Sequence, residues 1–145
     1  MSHAHITGWI GQYAYVRLPN WFKEGLAVFA SEGGGAEWVS EDKARAAIQR
    51  GEQLVVDDTG SLQNLTDVRL EKTPATAQPW YPVVLAYRQA GMFVRYLRET
   101  DERAFDRMMS AILDGRAFAD AVTVGYHNDA RSLWQKFVES SSDRK

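Results

Sequence analysis

Three histidines, one glutamate set among apolar residues and a long helical run with two tyrosines are the groups in this chain that could do chemistry. The histidines are His3, His5 and His127. Cysteine is absent, so there are no thiolate ligands and any metal would have to be held by His and carboxylates. Glu24 stands in Leu18-Pro19-Asn20-Trp21-Phe22-Lys23-Glu24-Gly25-Leu26-Ala27. A carboxylate buried in such surroundings needs a partner, because an unpaired buried charge is expensive. The plainer reading turns Glu24 to solvent or toward an arginine. His3 and His5, two positions apart, point to different faces of a helix, so His5 reads as a polar or solvent-facing side chain. His127, in Gly125-Tyr126-His127-Asn128, reads as a loop residue. Tyr87 and Tyr81 offer phenolic hydroxyls that a helix could hold at the rim of a core.

The elements that would position these groups follow from apolar spacing and from breakers. Ile6, Trp9, Ile10, Tyr13 and Val16 recur at helical intervals, predicting a helix from His3 to about Arg17. Pro19 cannot continue that helix but suits the start of the next. Asn20 is the expected cap of a second helix to Ser31, ended by Gly33-Gly34-Gly35. Ser40 caps a third, with Glu41 and Asp42 in its first turn and Gly51 closing it. Residues 54–78 are the least regular, with a turn expected at Asp57-Asp58-Thr59-Gly60 and with Leu62 and Leu65 docking the loop. Pro82 opens a long helix to about Glu99, with Ala86, Ala90, Phe93 and Leu97 on one face. Phe105, Met108, Met109, Ile112 and Leu113 mark another, ended by Gly115, and the Met pair reads as core packing. A short helix over 118–124 and a last one holding Leu133, Trp134, Phe137 and Val138 complete about seven. The expectation is a mainly α, single helical domain over 1–139, with a polar tail over 140–145 that frays.

Two segments resemble zinc peptidases of the gluzincin type. Trp21-x-x-Glu24-Gly25-Leu26-Ala27 is similar to the segment in which that family's helix supplies a third, carboxylate ligand downstream of its HExxH helix. No HExxH occurs in this chain, but it begins Met1-Ser2-His3. A His-Glu pair just upstream would complete the motif at His3, and Glu24 follows His3 by 21 positions, near the roughly twenty the family uses. A tag remnant would also read Met-Ser-His-Ala-His. The second segment, Tyr87 to Leu97, resembles the family's helix that is opened by a tyrosine, with the small pair Ala90-Gly91 and an apolar face after it. Tyr87 follows Glu24 by 63 positions, which also suits the family.

The resemblance implies the C-terminal helical part of a thermolysin-like catalytic domain, truncated within its HExxH motif. It implies zinc as cofactor of the full-length protein, with His3 and Glu24 as metal ligands. Tyr87 would be the catalytic phenol that steadies an oxyanion, Tyr81 being the alternative. The first His ligand and the general-base Glu are not in this sequence, so the chain as given is expected to be inactive and to hold zinc weakly or not at all. Peptides or proteins would be its substrates, and its exposed cleft face could pair two copies. The competing class is a non-catalytic helical interaction module derived from such a peptidase.

Composition bounds these readings. The chain has 145 residues, 45% hydrophobic and 25% charged, enough for one domain with a real core. A net charge of −2 with scattered Lys and Arg argues against a nucleic-acid or anionic-membrane partner. No apolar run reaches the length of a membrane span. No export signal is visible, and a truncated N-terminus would have lost one. The compartment therefore stays open.

Overall fold

Proline and glycine divide the chain into helices, and helix-facing small residues decide how those helices meet. The computed structural model describes residues 18–57 and 68–142. Among these, six helices follow in order: α1 Asn20–Ala30, α2 Glu41–Gln49, α3 Tyr81–Thr100, α4 Glu102–Leu113, α5 Phe118–Tyr126 and α6 Ala130–Ser142. The helix expected over 3–17, the Asp58-Thr59-Gly60 part of the turn, Leu62 and Leu65 lie outside the described residues. The fold is mainly α, and the described residues contain only one isolated antiparallel bridge, Leu54 with Leu70. No helix of the described residues is long and apolar enough to cross a membrane.

The helix boundaries have local causes. Ser40 caps α2 by accepting from the Lys43 N–H, and Gly51 leaves that helix at a φ of 88°, where a side chain would be strained. Pro82 occupies the first turn of α3, where its missing N–H costs no helical bond. Asp101 ends α3 in extended backbone and caps α4 by accepting from the Ala104 N–H at 3.0 Å. One residue thus makes the corner between the two helices. The second helix differs from expectation at its start. Asn20 is its first helical residue, not its cap; Pro19 takes that place, and its carbonyl accepts from Phe22 and Lys23 N–H. The last helix also runs further than the expected tail boundary. It continues through Ser142, with Ser141 buried, and the Ser140 and Ser142 hydroxyls donate to the Phe137 and Glu139 carbonyls.

The core is centred on α3, which packs against α1, α2, α4 and α6. Trp21, Phe22, Phe93, Phe118, Trp134 and Phe137 form its aromatic centre. The α1–α3 contact is close because both helices present glycine there. A Cβ on Gly25 would sit 2.7 Å from both the Ala90 carbonyl oxygen and Val94 Cγ2, and one on Gly91 would collide with Val28. Contacts run from Trp21 on Phe93, through Gly25 on Ala90 and Val94, to Gly33 on Arg88. The two helices are therefore antiparallel. Gln89, fully buried on α3, donates to the Glu52 carbonyl at 2.7 Å and accepts from the Leu54 N–H at 2.9 Å. It acts as a surrogate strand for residues 52–54, satisfying two backbone groups that would otherwise be buried unpaired.

Candidate functional site

The α1–α3 crossing carries both motif segments. Gly25 follows Glu24 directly, and Gly91 lies one turn beyond Tyr87 on the same face of α3. The small residues that made the two segments resemble a known pattern are thus the ones that let these helices touch. Glu24 itself is half-buried. The fully buried positions of α1 are Trp21, Phe22, Gly25, Leu26, Ala27 and Val28, and helical geometry turns Glu24 away from the face occupied by Phe22 and Leu26. The expectation of a carboxylate enclosed by apolar neighbours therefore holds only in part. Beside it, burial pushes the Lys23 ammonium down from its ordinary pKa, and the Glu24 charge opposes that shift.

Tyr87 is half-buried and packs against the core. Tyr81, the alternative phenol, opens α3 and interacts with the Arg50 guanidinium. Arg50 in turn pairs with the buried Glu52 at 2.9 Å. Gly91, one turn beyond Tyr87, meets Val28 at the crossing, so of the two phenols Tyr87 is the nearer to it along α3. His127 is exposed, with a φ of 55° at the end of α5, in keeping with a loop residue. His3 and His5 lie outside the described residues. Among the described residues no three His, Asp or Glu side chains gather where they could hold a metal ion. These residues thus provide at most one ligand of the expected zinc, Glu24.

A polar cluster that sequence spacing did not reveal lies next to the crossing. Glu41 at the start of α2 accepts both Arg95 terminal nitrogens, at 2.5 and 2.6 Å, and Arg45 at 3.2 Å. A cleft of about 470 Å³ opens beside it, lined by Val28, Phe29, Glu41, Arg88, Gly91 and Arg95 among others. Arg88 donates through Nε to the Val39 carbonyl at 2.7 Å and through Nη2 to that of Ala36 at 2.8 Å. Glu41 and Arg95 are 54 positions apart, so no local pattern could have paired them.

The Arg95 fork holds the Glu41 carboxyl below the usual carboxylate range, against the opposing effect of burial. A carboxylate whose pKa is depressed by folding stabilises the fold above its unfolded value, about 4.3. That contribution is lost as pH falls through the lower, folded value. Glu41→Gln is therefore expected to destabilise at pH 7 and to be nearly neutral once the parent's carboxyl is protonated. The pair is partly exposed, so the effect at pH 7 should stay below about 1 kcal/mol. Urea unfolding of parent and variant from pH 7 to 3 checks this; a difference that grows toward low pH would contradict the ion-pair assignment.

Compared with family models, with curated proteins and with solved structures, the chain finds no match.

Proposed function

We propose that the chain is the helical part of a zinc-peptidase-type catalytic domain. In this reading Glu24 supplies a carboxylate ligand, His3 an imidazole ligand and Tyr87 the oxyanion donor. One observation carries the proposal: the segments bearing Glu24 and Tyr87 lie on antiparallel helices that cross through the glycines next to them. A ligand and a hydroxyl that serve one reacting carbonyl need such a rigid crossing to hold their spacing. When bound, zinc would supply Lewis-acid polarisation of a peptide carbonyl and a water of lowered pKa. The chain's own residues would hold the metal through Glu24 and His3, and Tyr87 would present its O–H to the charge developing on the carbonyl oxygen.

The chain alone lacks the first His and the general-base Glu of that family. It is therefore expected to retain far less than one zinc per chain after dialysis and to show no turnover of a general peptide substrate. Metal analysis and a peptide-release assay measure both. Tight stoichiometric zinc with turnover would mean that other groups, such as His5 or His127, complete a site, and the assignment of missing residues would fail. The alternative reading, a non-catalytic helical interaction module, draws support from Trp38, a large indole that is 71% exposed. The two readings separate when an upstream segment reading His-Glu is joined to Met1. Recovery of a zinc site that depends on Glu24 favours the peptidase, and its absence favours the module.

A further inference from the structure

We propose that the cleft beside the α1–α3 crossing binds a small zwitterion with an apolar side chain, of the class of a free aliphatic α-amino acid. Among the described residues neither Glu24 nor Tyr87 lines that cleft, so the inference does not rest on the peptidase-type reading.

Three helices build the cleft. Arg88, Gly91, Met92 and Arg95 recur at i, i+3, i+4 and i+7, one stripe of α3, and form its floor. Val28 and Phe29, near the end of α1, make one wall, and Glu41, at the start of α2, borders the other side. Gly91 contributes no side chain to fill the space between them. The volume of about 470 Å³ falls within the range of small-molecule sites.

Four charged side chains line the cleft, and their partners decide what it can hold. Two of them cancel. Arg95 directs both terminal nitrogens at Glu41, which also accepts from Arg45. Arg88 and Glu32 remain. Arg88 donates Nε and Nη2 to the Val39 and Ala36 carbonyls, which fix the plane of its guanidinium without neutralising it. Among the described residues its Nη1 has no acceptor. Glu37 is close enough to feel the Arg88 charge, but its carboxylate accepts from the Gly35 N–H. Nη1 lies against Gly33, where a Cβ would sit 3.0 Å from it. Glu32, the residue before Gly33, is exposed at the rim. It enters none of the ion pairs among the described residues. Its φ of 55° lies in the left-handed region, so a carboxylate stands where glycine would cost less.

These groups select the occupant. A plain anion drawn to Arg88 would meet the Glu32 charge, and a plain cation drawn to Glu32 would meet that of Arg88. A ligand carrying both charges one carbon apart satisfies the two together. Its carboxylate would accept from Arg88 Nη1, a preset donor that loses little freedom on binding. Its ammonium would face Glu32, and its side chain would lie on Val28, Phe29 and Met92. Methionine adapts to side chains of different shape, so the site should take several aliphatic residues.

The test is an NMR titration of the full chain with L-leucine, following the Gly33 and Gly91 amide signals. Saturable shifts of both are expected, with a Kd on the order of 1 mM or tighter. Leucinamide, which lacks the carboxylate, should bind about tenfold more weakly or worse. Glu32→Gln should weaken leucine about threefold to fivefold yet leave 4-methylpentanoate, which lacks the ammonium, bound as the parent binds it. Glu32 is exposed, so the variant's circular dichroism and Tm should match the parent's. Arg88 is left intact because it also holds the 36–39 loop. No saturable shift of Gly33 and Gly91, leucinamide or 4-methylpentanoate binding as tightly as leucine, or indifference of leucine to Glu32→Gln would each overturn the site.

Discussion

Replacing Phe93 with alanine is expected to destabilise the fold by about 3–5 kcal/mol. Phe93 is fully buried on α3 and touches rings from two other helices. Trp21 of α1 lies 5.4 Å away, and Trp134 and Phe137 of α6 lie 5.1 and 5.7 Å away between centroids. Truncation removes the transfer free energy of the ring and leaves a cavity whose walls are anchored on separate helices. Such walls collapse poorly. A domain of this size has about 5–15 kcal/mol of total stability, so the variant should sit near its unfolding midpoint in little denaturant. Urea unfolding followed by tryptophan fluorescence measures the loss. A cost under about 1 kcal/mol would mean that the aromatic centre repacks freely and does not tie α1 and α6 to α3.

The second large effect concerns the proposed site. In a protein extended upstream to include a His-Glu pair and its preceding domain, Tyr87→Phe is expected to lower kcat about 10²–10³-fold, the loss typical of one oxyanion donor. Zinc content should be unchanged, because the hydroxyl acts on the transition state and not on the metal. Glu24→Ala should lose the zinc itself, and activity with it. Metal analysis alongside steady-state kinetics separates the two roles. Full activity in Tyr87→Phe would remove the tyrosine assignment and leave the ligand assignment in place. If both variants behaved like the parent, the peptidase reading would be finished.

Residues 90–94 of α3 meet α1 at Gly25 and Val28. Residues 80–84 extend past α1 and leave aromatic and aliphatic surface in water.

What the sequence determined by itself is the set of helices among the described residues, because their signals are local. Ser40 bonds three residues on, Pro82 needs no partner to start α3, and Gly115, at a φ of 89°, stops α4 wherever the helix lies. Apolar spacing correctly assigned Met108 and Met109 to the core, since a 3.6-residue period reports which face is buried. Tertiary structure decided which side chains meet. Gln89 serves backbone groups 35 and 37 positions away, and Glu41 finds Arg95 across 54 positions. No periodicity within either segment encodes such pairings. The exposure of Trp38 was equally hidden, because a tryptophan between glutamate and valine gives no sign of its direction until Arg88 anchors the carbonyls flanking it. Glu24 shows the division within one residue. Its place on a helix among apolar neighbours was legible, but its half-buried position is a product of tertiary packing.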